Sequence, residues 1–516
     1  MIKNKRIIIF ATVVIAFTAL SGALSLMGKA EPTNPTLLNR MPKISPDYHN
    51  TVVPFNIAPL NFTIKEKADN YFVRVSTASD SFDIYCKNSD VIIPMKKWKS
   101  LLVANKGKKI NFEVFTLSND RWRKYKSITN KIADEPIDSY LCYRRIPPVR
   151  VYIDTSIGIY QRNLTNYSEK LILSNDYYYG GCLNCHNFAG GDSRVMSMGI
   201  RSKKLGDSTL FIDGDKVQNV DLKIGYNSWH PSKKLVVYSV NKVVQFVNTA
   251  GKEFREVFDL DSMLAYYIRR ERKVKTADVI SSKDRQETYP CFSPDGKYLY
   301  FCSAPMLWHD EKQLPPPRYK EMKYDIVRVS YDVENDKWGQ LETIIPASLT
   351  GKSNLLPRIS PDGRWLVFCT TNYGCFPSHS PSSDLWIADL NAETIKPRQL
   401  KINSEQSESW HSFSSNNSWI VFSTKRRNGT FTRTYMAYLD GQGNVSKPFL
   451  LPVKDPKYFD TCRDGFTVPE FTTNAAKLTG EKLGRIIRSA QKTAVTLPIT
   501  MATPTQTKHQ RYDSAE

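Results

Sequence analysis

Four stretches of this chain are copies of one pattern, and that pattern restricts the fold more than any other feature. They cover residues 228–239, 292–303, 359–370 and 413–424. Each holds the end of a strand, a tight turn, and an apolar strand that finishes in an aromatic and a small residue. The turn is explicit in the middle copies, Ser293-Pro294-Asp295-Gly296-Lys297 and Ser360-Pro361-Asp362-Gly363-Arg364. Proline presets φ, aspartate accepts from the backbone, and glycine takes a positive φ. Asp295 and Asp362 are thus expected as turn residues rather than a catalytic carboxylate pair. The first and fourth copies lack the Asp-Gly pair. The aligned positions Pro231, Pro294, Pro361 and Ser415 lie 63, 67 and 54 residues apart. A further strand follows in the later copies, at 324–329, 384–388 and 434–438. Four strands per repeat of this length describe the blades of a β-propeller. A propeller must close its ring, so residues 193–223 are expected to form another blade, and a last one to be shared between the ends. Five to seven blades are expected over 193–473, with six as the central value.

The second constraint is chemical. Gly181-Cys182-Leu183-Asn184-Cys185-His186 contains Cys-x-x-Cys-His, the pattern for covalent haem attachment. Two thiols at this spacing can add to the two vinyl groups of one haem, and the histidine supplies an imidazole to the iron. A disulfide or thiol centre and a zinc site are the competing readings. Structural zinc needs about four protein ligands, and no second Cys-x-x-Cys lies nearby. Residues 149–192 are read as the haem-attachment segment. Met196 and Met198 are candidates for the opposite axial position, because Met/His ligation suits electron transfer. Both also suit a packed core. His230, His309, His379 and His411 are the other candidates, and Arg162 is a candidate partner for a propionate.

The start of the chain bears on location. Lys3, Lys5 and Arg6 precede an apolar run from Ile7 to about Leu26, long enough to span a bilayer. Residues 1–29 are expected to be an uncleaved anchor, with cleavage near Ser21-Gly22-Ala23 as the alternative. The body then lies on the periplasmic side of a bacterial inner membrane. Residues 30–50, rich in Pro and Asn, are read as a tether.

Residues 51–148 carry short runs of β-formers parted by polar clusters, which suits a small immunoglobulin-like sandwich. Residues 474–516 differ. Leu478, Leu483, Ile486 and Ile487 are spaced for one helical face among basic residues, ahead of a polar tail. The helix is expected to dock on the propeller or touch an anionic surface. Nine cysteines, less the two of the motif, leave an odd number, so at least one stays unpaired within the chain. Pairs such as Cys86 with Cys142, or Cys291 with Cys302, are open. Cys302 and Cys369 take equivalent places in two repeats, as small buried residues would.

The net charge of +21 is spread along the chain with no nucleic-acid motif, and it is read as a solvated surface that can steer an acidic redox partner, with no nucleic acid expected. Carried by the two Ser-Pro-Asp-Gly turns, residues 188–471 resemble the WD-repeat-like propeller of TolB-type periplasmic proteins. With Cys-x-x-Cys-His placed ahead of the repeats, the whole chain resembles membrane-anchored bacterial proteins described as cytochrome-like or cytochrome c biogenesis proteins. The resemblance implies an all-β fold and says little about activity. The expectation is a monohaem c-type relay with haem c iron held by Cys182, Cys185 and His186, docked to a redox or envelope partner. No catalytic residue is expected. A non-catalytic scaffold for envelope assembly or cytochrome maturation is the second reading, and a haem-dependent sensor or enzyme the third.

Overall fold

The computed structural model describes residues 31–498 except 87, 148–155, 247–255 and 309–312, and only the backbone of Cys185. The expected anchor, the polar tail beyond 498 and His309 lie outside the described residues. No helix among the described residues is long and apolar enough to cross a membrane. Strands dominate, as expected of an all-β chain, and they fall into two compact units.

The first unit holds residues up to Asp134 together with Pro452–Thr461. Its main sheet has seven strands. Lys109–Ser118 is central and pairs with Asn70–Ser76, Arg121–Lys124 and Ile128–Ile132. A smaller sheet joins Ile44–Ser45, Phe62–Ile64 and Asp90–Val91. The expected tether therefore needs correcting. Thr36–Leu37 and Ile44–Ser45 are paired strands of this unit, because their backbones hydrogen-bond to Arg121–Lys124 and Phe62–Ile64. A helix, Met95–Ala104, buries Trp98, Leu101 and Leu102, so the unit is not a pure sandwich. Alternating burial along Asn70–Ser76 and Ser81–Cys86 sets which face meets the core.

The second unit holds Glu135–Leu451 and everything from Cys462 onward. Its described residues form six four-stranded antiparallel sheets. Blade 1 is Cys182–Ala189, Asp192–Arg201, Ser208–Asp213 and Lys216–Val220. Blade 2 starts at Asn227–Trp229, blade 3 at Arg285–Phe292, blade 4 at Ser353–Ile359 and blade 5 at Glu408–Phe413. In the closing blade the late strand Gly465–Thr472 pairs with the early strand Tyr140–Ile146, followed by Gly158–Asn163 and Glu169–Ser174. The first strands of successive blades touch one another all the way round, from Gly465–Thr472 through blades 1 to 5 and back. The unit is therefore ring-closed and propeller-like.

Two expected boundaries move. Tyr140–Ile146 belongs to the ring and not to the sandwich, because its hydrogen-bond partners are ring strands. Residues 182–189 are the innermost strand of blade 1 and not a segment ahead of the propeller.

The Ser-Pro-Asp-Gly turns act as expected. Ser293 Oγ donates to Asp295 Oδ1 at 2.6 Å and accepts from Tyr298 N at 3.0 Å. In blade 5 Asn416 takes the aspartate's place, with Ser414 Oγ at 2.6 Å. In blade 2 the device is rebuilt: His230 Nδ1 lies 2.7 Å from Ser232 Oγ, and Nε2 lies 3.1 Å from Gly296 O of the next blade.

The C-terminal helix is Gly480–Arg488, capped by Thr479, with Leu483 and Ile487 buried. Both join a core shared by the closing blade and blade 1. The chain then runs across outer strands, where Thr493 bridges Val220 and Thr496 bridges Lys273. Cys86, Cys142, Cys291, Cys302, Cys369 and Cys375 are all buried free thiols, and Cys302 and Cys369 are fully buried, as their repeat position implied.

Candidate functional site

The axis of the ring is where sequence and geometry meet. Four first strands break register at the same place, between Thr288 and Cys291, Leu355 and Arg358, Ser409 and Ser412, and opposite Cys142 and Arg144. Each break holds a non-glycine residue in left-handed backbone: Tyr289 at φ 54°, Leu356 at 54°, Trp410 at 49° and Val468 at 52°. L-residues resist this conformation, a β-branched valine most of all. The surrounding ladders impose it, and the result is a collar round the axis. Tyr226 of blade 2 completes the collar, with its ring centroid 4.2 Å from Tyr289 and 5.7 Å from Trp410.

Blade 1 breaks register between Asn184 and His186, so Cys185 stands at the place the collar residues take in the other blades. The attachment motif is thus built on a bulged inner strand. Cys182 begins that strand, is partly exposed, and donates its thiol proton to Asn184 Oδ1 at 3.1 Å. His186 is 1 % exposed, and neither Nδ1 nor Nε2 makes a well-formed hydrogen bond, the Val468 backbone lying close enough only to oppose its pKa shift slightly. Burial, and then the nearby Arg144 guanidinium, push its pKa down to about 3, so the imidazole is neutral at physiological pH. Arg144 itself donates to Leu183 O at 3.2 Å.

His186 opens onto a small axial void, walled by Asn187, Asn227, Arg358 and Glu470 and floored by the collar. Arg358 and Glu470 face each other at 3.9 Å, and burial raises the Glu470 carboxyl to about 7. The void has room for a water molecule and not for a macrocycle.

The other candidate ligands fall elsewhere. Met198 is the cross-strand partner of His186, and Met196 that of Phe188. Directly opposed residues point to one face of a sheet, so Met198 cannot oppose His186 across a flat ring. Both methionines are core residues packed with Leu183 and Ile200, which corrects their reading as iron ligands. His411 Nε2 lies 2.8 Å from Val367 O, and His379 Nδ1 lies 3.0 Å from Lys425 Nζ. With His230 at its turn, all three are structurally engaged. Arg162 donates to Tyr167 O at 3.0 Å and sits 3.8 Å from Glu169. No group of three or more His, Cys, Asp or Glu side chains capable of holding a metal occurs among the described residues. The residue types at blade 1, Cys182, Cys185 and a neutral His186, match those that hold haem c, but the packed axis leaves no space for the group.

The collar and its polar wall were missed in the sequence. A signal was present, since Tyr226, Tyr289, Leu356 and Trp410 each stand four residues before the His230, Ser293, Ser360 or Ser414 that opens a turn.

No protein-family model matches the chain, and no curated protein does. Solved structures give distant similarity. A prolyl endopeptidase aligns at 11 % identity over 61 % of this chain and 42 % of its own, with a TM-score of 0.35. An oligogalacturonate lyase from Vibrio parahaemolyticus aligns at 11 % over 56 % and 85 %, with a TM-score of 0.30. Hydrazine synthase from Kuenenia stuttgartiensis aligns at 13 % over 51 % and 64 %, with a TM-score of 0.30. The chain spans less than two thirds of the first two structures in the comparison, 42 % and 64 % of their own lengths. The site at blade 1 stands on its own geometry.

Proposed function

We propose that this chain is a monohaem c-type electron relay on the periplasmic side of a bacterial inner membrane, held there by the apolar run at its start. Cys182 and Cys185 are the attachment thiols and His186 the axial imidazole. One observation carries the reading. His186 is a fully buried, neutral imidazole with neither ring nitrogen in a well-formed hydrogen bond, and buried polar groups are seldom left so without an absent partner. When bound, haem c supplies a one-electron iron couple. The chain's own residues hold the imidazole neutral, shield it from bulk water through the collar, and leave the outer surface free for a partner. The net positive charge suits an acidic one.

The water-sized void adds a requirement: the thiols would have to be loaded before the collar packs. The same void favours a second reading, a propeller-like scaffold with no cofactor whose collar only plugs the ring. One experiment separates them. Full-length protein is exported alongside cytochrome c maturation machinery, and its intact mass and pyridine haemochrome spectrum are measured. The relay reading expects one added haem, lost when Cys182→Ser and Cys185→Ser are combined. An unmodified mass with the machinery active leaves the scaffold.

A further inference from the structure

The helix Met95–Ala104 of the first unit presents two unlike faces. Inward, Trp98 is fully buried and donates Nε1–H to Ile57 O at 3.0 Å. Outward, Lys96 is exposed, Lys97 is exposed with its ammonium 5.9 Å from the Phe82 ring centroid, and Lys99 is half-buried; the following turn adds exposed Lys106, 3.7 Å from the Phe55 ring centroid, and Lys108, and the next strand opens on exposed Lys109. No acidic residue occupies the helix's first turn. The nearby Asp80 carboxylate accepts from Asn105 Nδ2 at 2.9 Å and from Ser79 and has Lys108 as its charged neighbour, and Asp134 lies beneath Gly107. Lys96, Lys99 and Val103 follow i, i+3, i+7 spacing, so they form one stripe. Val103 is 55 % exposed, and Ile92, in the segment leading into the helix, is 48 % exposed. Lysines flanking exposed aliphatic side chains are the chemistry of an anionic bilayer surface: ammonium groups reach headgroup phosphates and the aliphatics enter the interface. Lysine's ammonium is a compact point charge on a flexible stem, able to meet phosphates spread over a plane without a fixed geometry. Position agrees. The unit's first strand, Thr36–Leu37, starts ten residues after the apolar run ends at Leu26, at most about 35 Å of extended chain.

We propose that this lysine face lies on anionic phospholipid. The inference rests on the membrane-side placement above and not on haem. Full-length protein is mixed with phosphatidylcholine vesicles, plain or containing phosphatidylglycerol. Flotation and lysine acetylation rates are read from the same samples. Expected is a several-fold slowing at Lys96, Lys97, Lys99, Lys106, Lys108 and Lys109 on the anionic vesicles only, reversed by about 0.5 M salt. Lys216 and Lys337, exposed in the second unit, stay unchanged. Combining Lys96→Glu, Lys97→Glu and Lys108→Glu abolishes the slowing at the remaining three without lowering the melting temperature. Flotation on both vesicle types with equal lysine rates overturns the lipid docking and keeps the anchor. Failure to float on either overturns both. Flotation on anionic vesicles alone, with protection, supports the face and removes the anchor. Protection that appears only when soluble acidic proteins are added assigns the face to a protein partner and overturns the lipid assignment.

Discussion

Gly296 and Gly363 hold the same place in neighbouring blades, with φ of 74° and 79°, yet they are not equivalent. A methyl group on Gly363 meets nothing within 4 Å, whereas one on Gly296 meets His230 Nε2 at 2.5 Å. Both alanine variants carry the left-handed backbone cost of about 1–2 kcal/mol. Gly296→Ala also displaces His230 and its bond to Gly296 O, adding about 1 kcal/mol or more. Urea unfolding is expected to rank Gly296→Ala clearly below Gly363→Ala. The turn itself was legible, since Ser, Pro, Asp and Gly each declare their role locally. The duty of His230 was not, because its partner lies 66 residues away. His186 was singled out by its cysteines, but its burial and the lack of a well-formed hydrogen bond at its nitrogens come from a ring that no local pattern displays. The methionines misled for the same reason: Met198 neighbours His186 across a ladder, and register with a partner strand is invisible in spacing alone.

Among the elements, the C-terminal helix shows where periodicity works and where it stops. Leu483 and Ile487 marked its inner face correctly. Gly480 and Gly484 gave no signal, although Tyr177 packs directly on them. A Cβ on Gly484 would lie 2.5 Å from Tyr177 Cβ and 2.9 Å from Tyr177 O. Backbone cannot yield as a side-chain tip can, so Gly484→Ala is expected to cost about 1–3 kcal/mol in overpacking. The gain in helix propensity returns up to about 1 kcal/mol. Net destabilisation should come with faster hydrogen exchange at Asp221 and Val274, whose amides donate to Thr493 O and Thr496 O. Unchanged exchange there would show that the strap holds without the helix. The collar is an element-scale feature too, one bulge repeated in successive strands. Its residues differ in type, so no shared letter reveals it.

At the scale of the molecule, the four-strand repeat was legible because each copy writes its own turn. The closing blade was harder, since its strands lie some 320 residues apart, as Arg145 and its partner Asp464 do. The ends must meet for the ring to exist. A chain stopped at residue 464 lacks the strand that pairs with Tyr140–Ile146 and is expected to lose its cooperative thermal transition. One stopped at residue 498 should melt like the full chain; equal melting of both would show that closure is dispensable. The stretch 452–472 also serves both units, since Lys454 O accepts from Asn61 Nδ2 at 2.8 Å in the first unit just before the ring's last strand begins. Synthesis runs from the other end. Every residue from Glu31 to Leu451 leaves the ribosome before either body can be finished. During that interval the strand bearing Cys182 stands open to any enzyme that handles it, and it is enclosed only when the last tenth of the chain arrives. The shared stretch thus ties the enclosure of that strand to the end of synthesis.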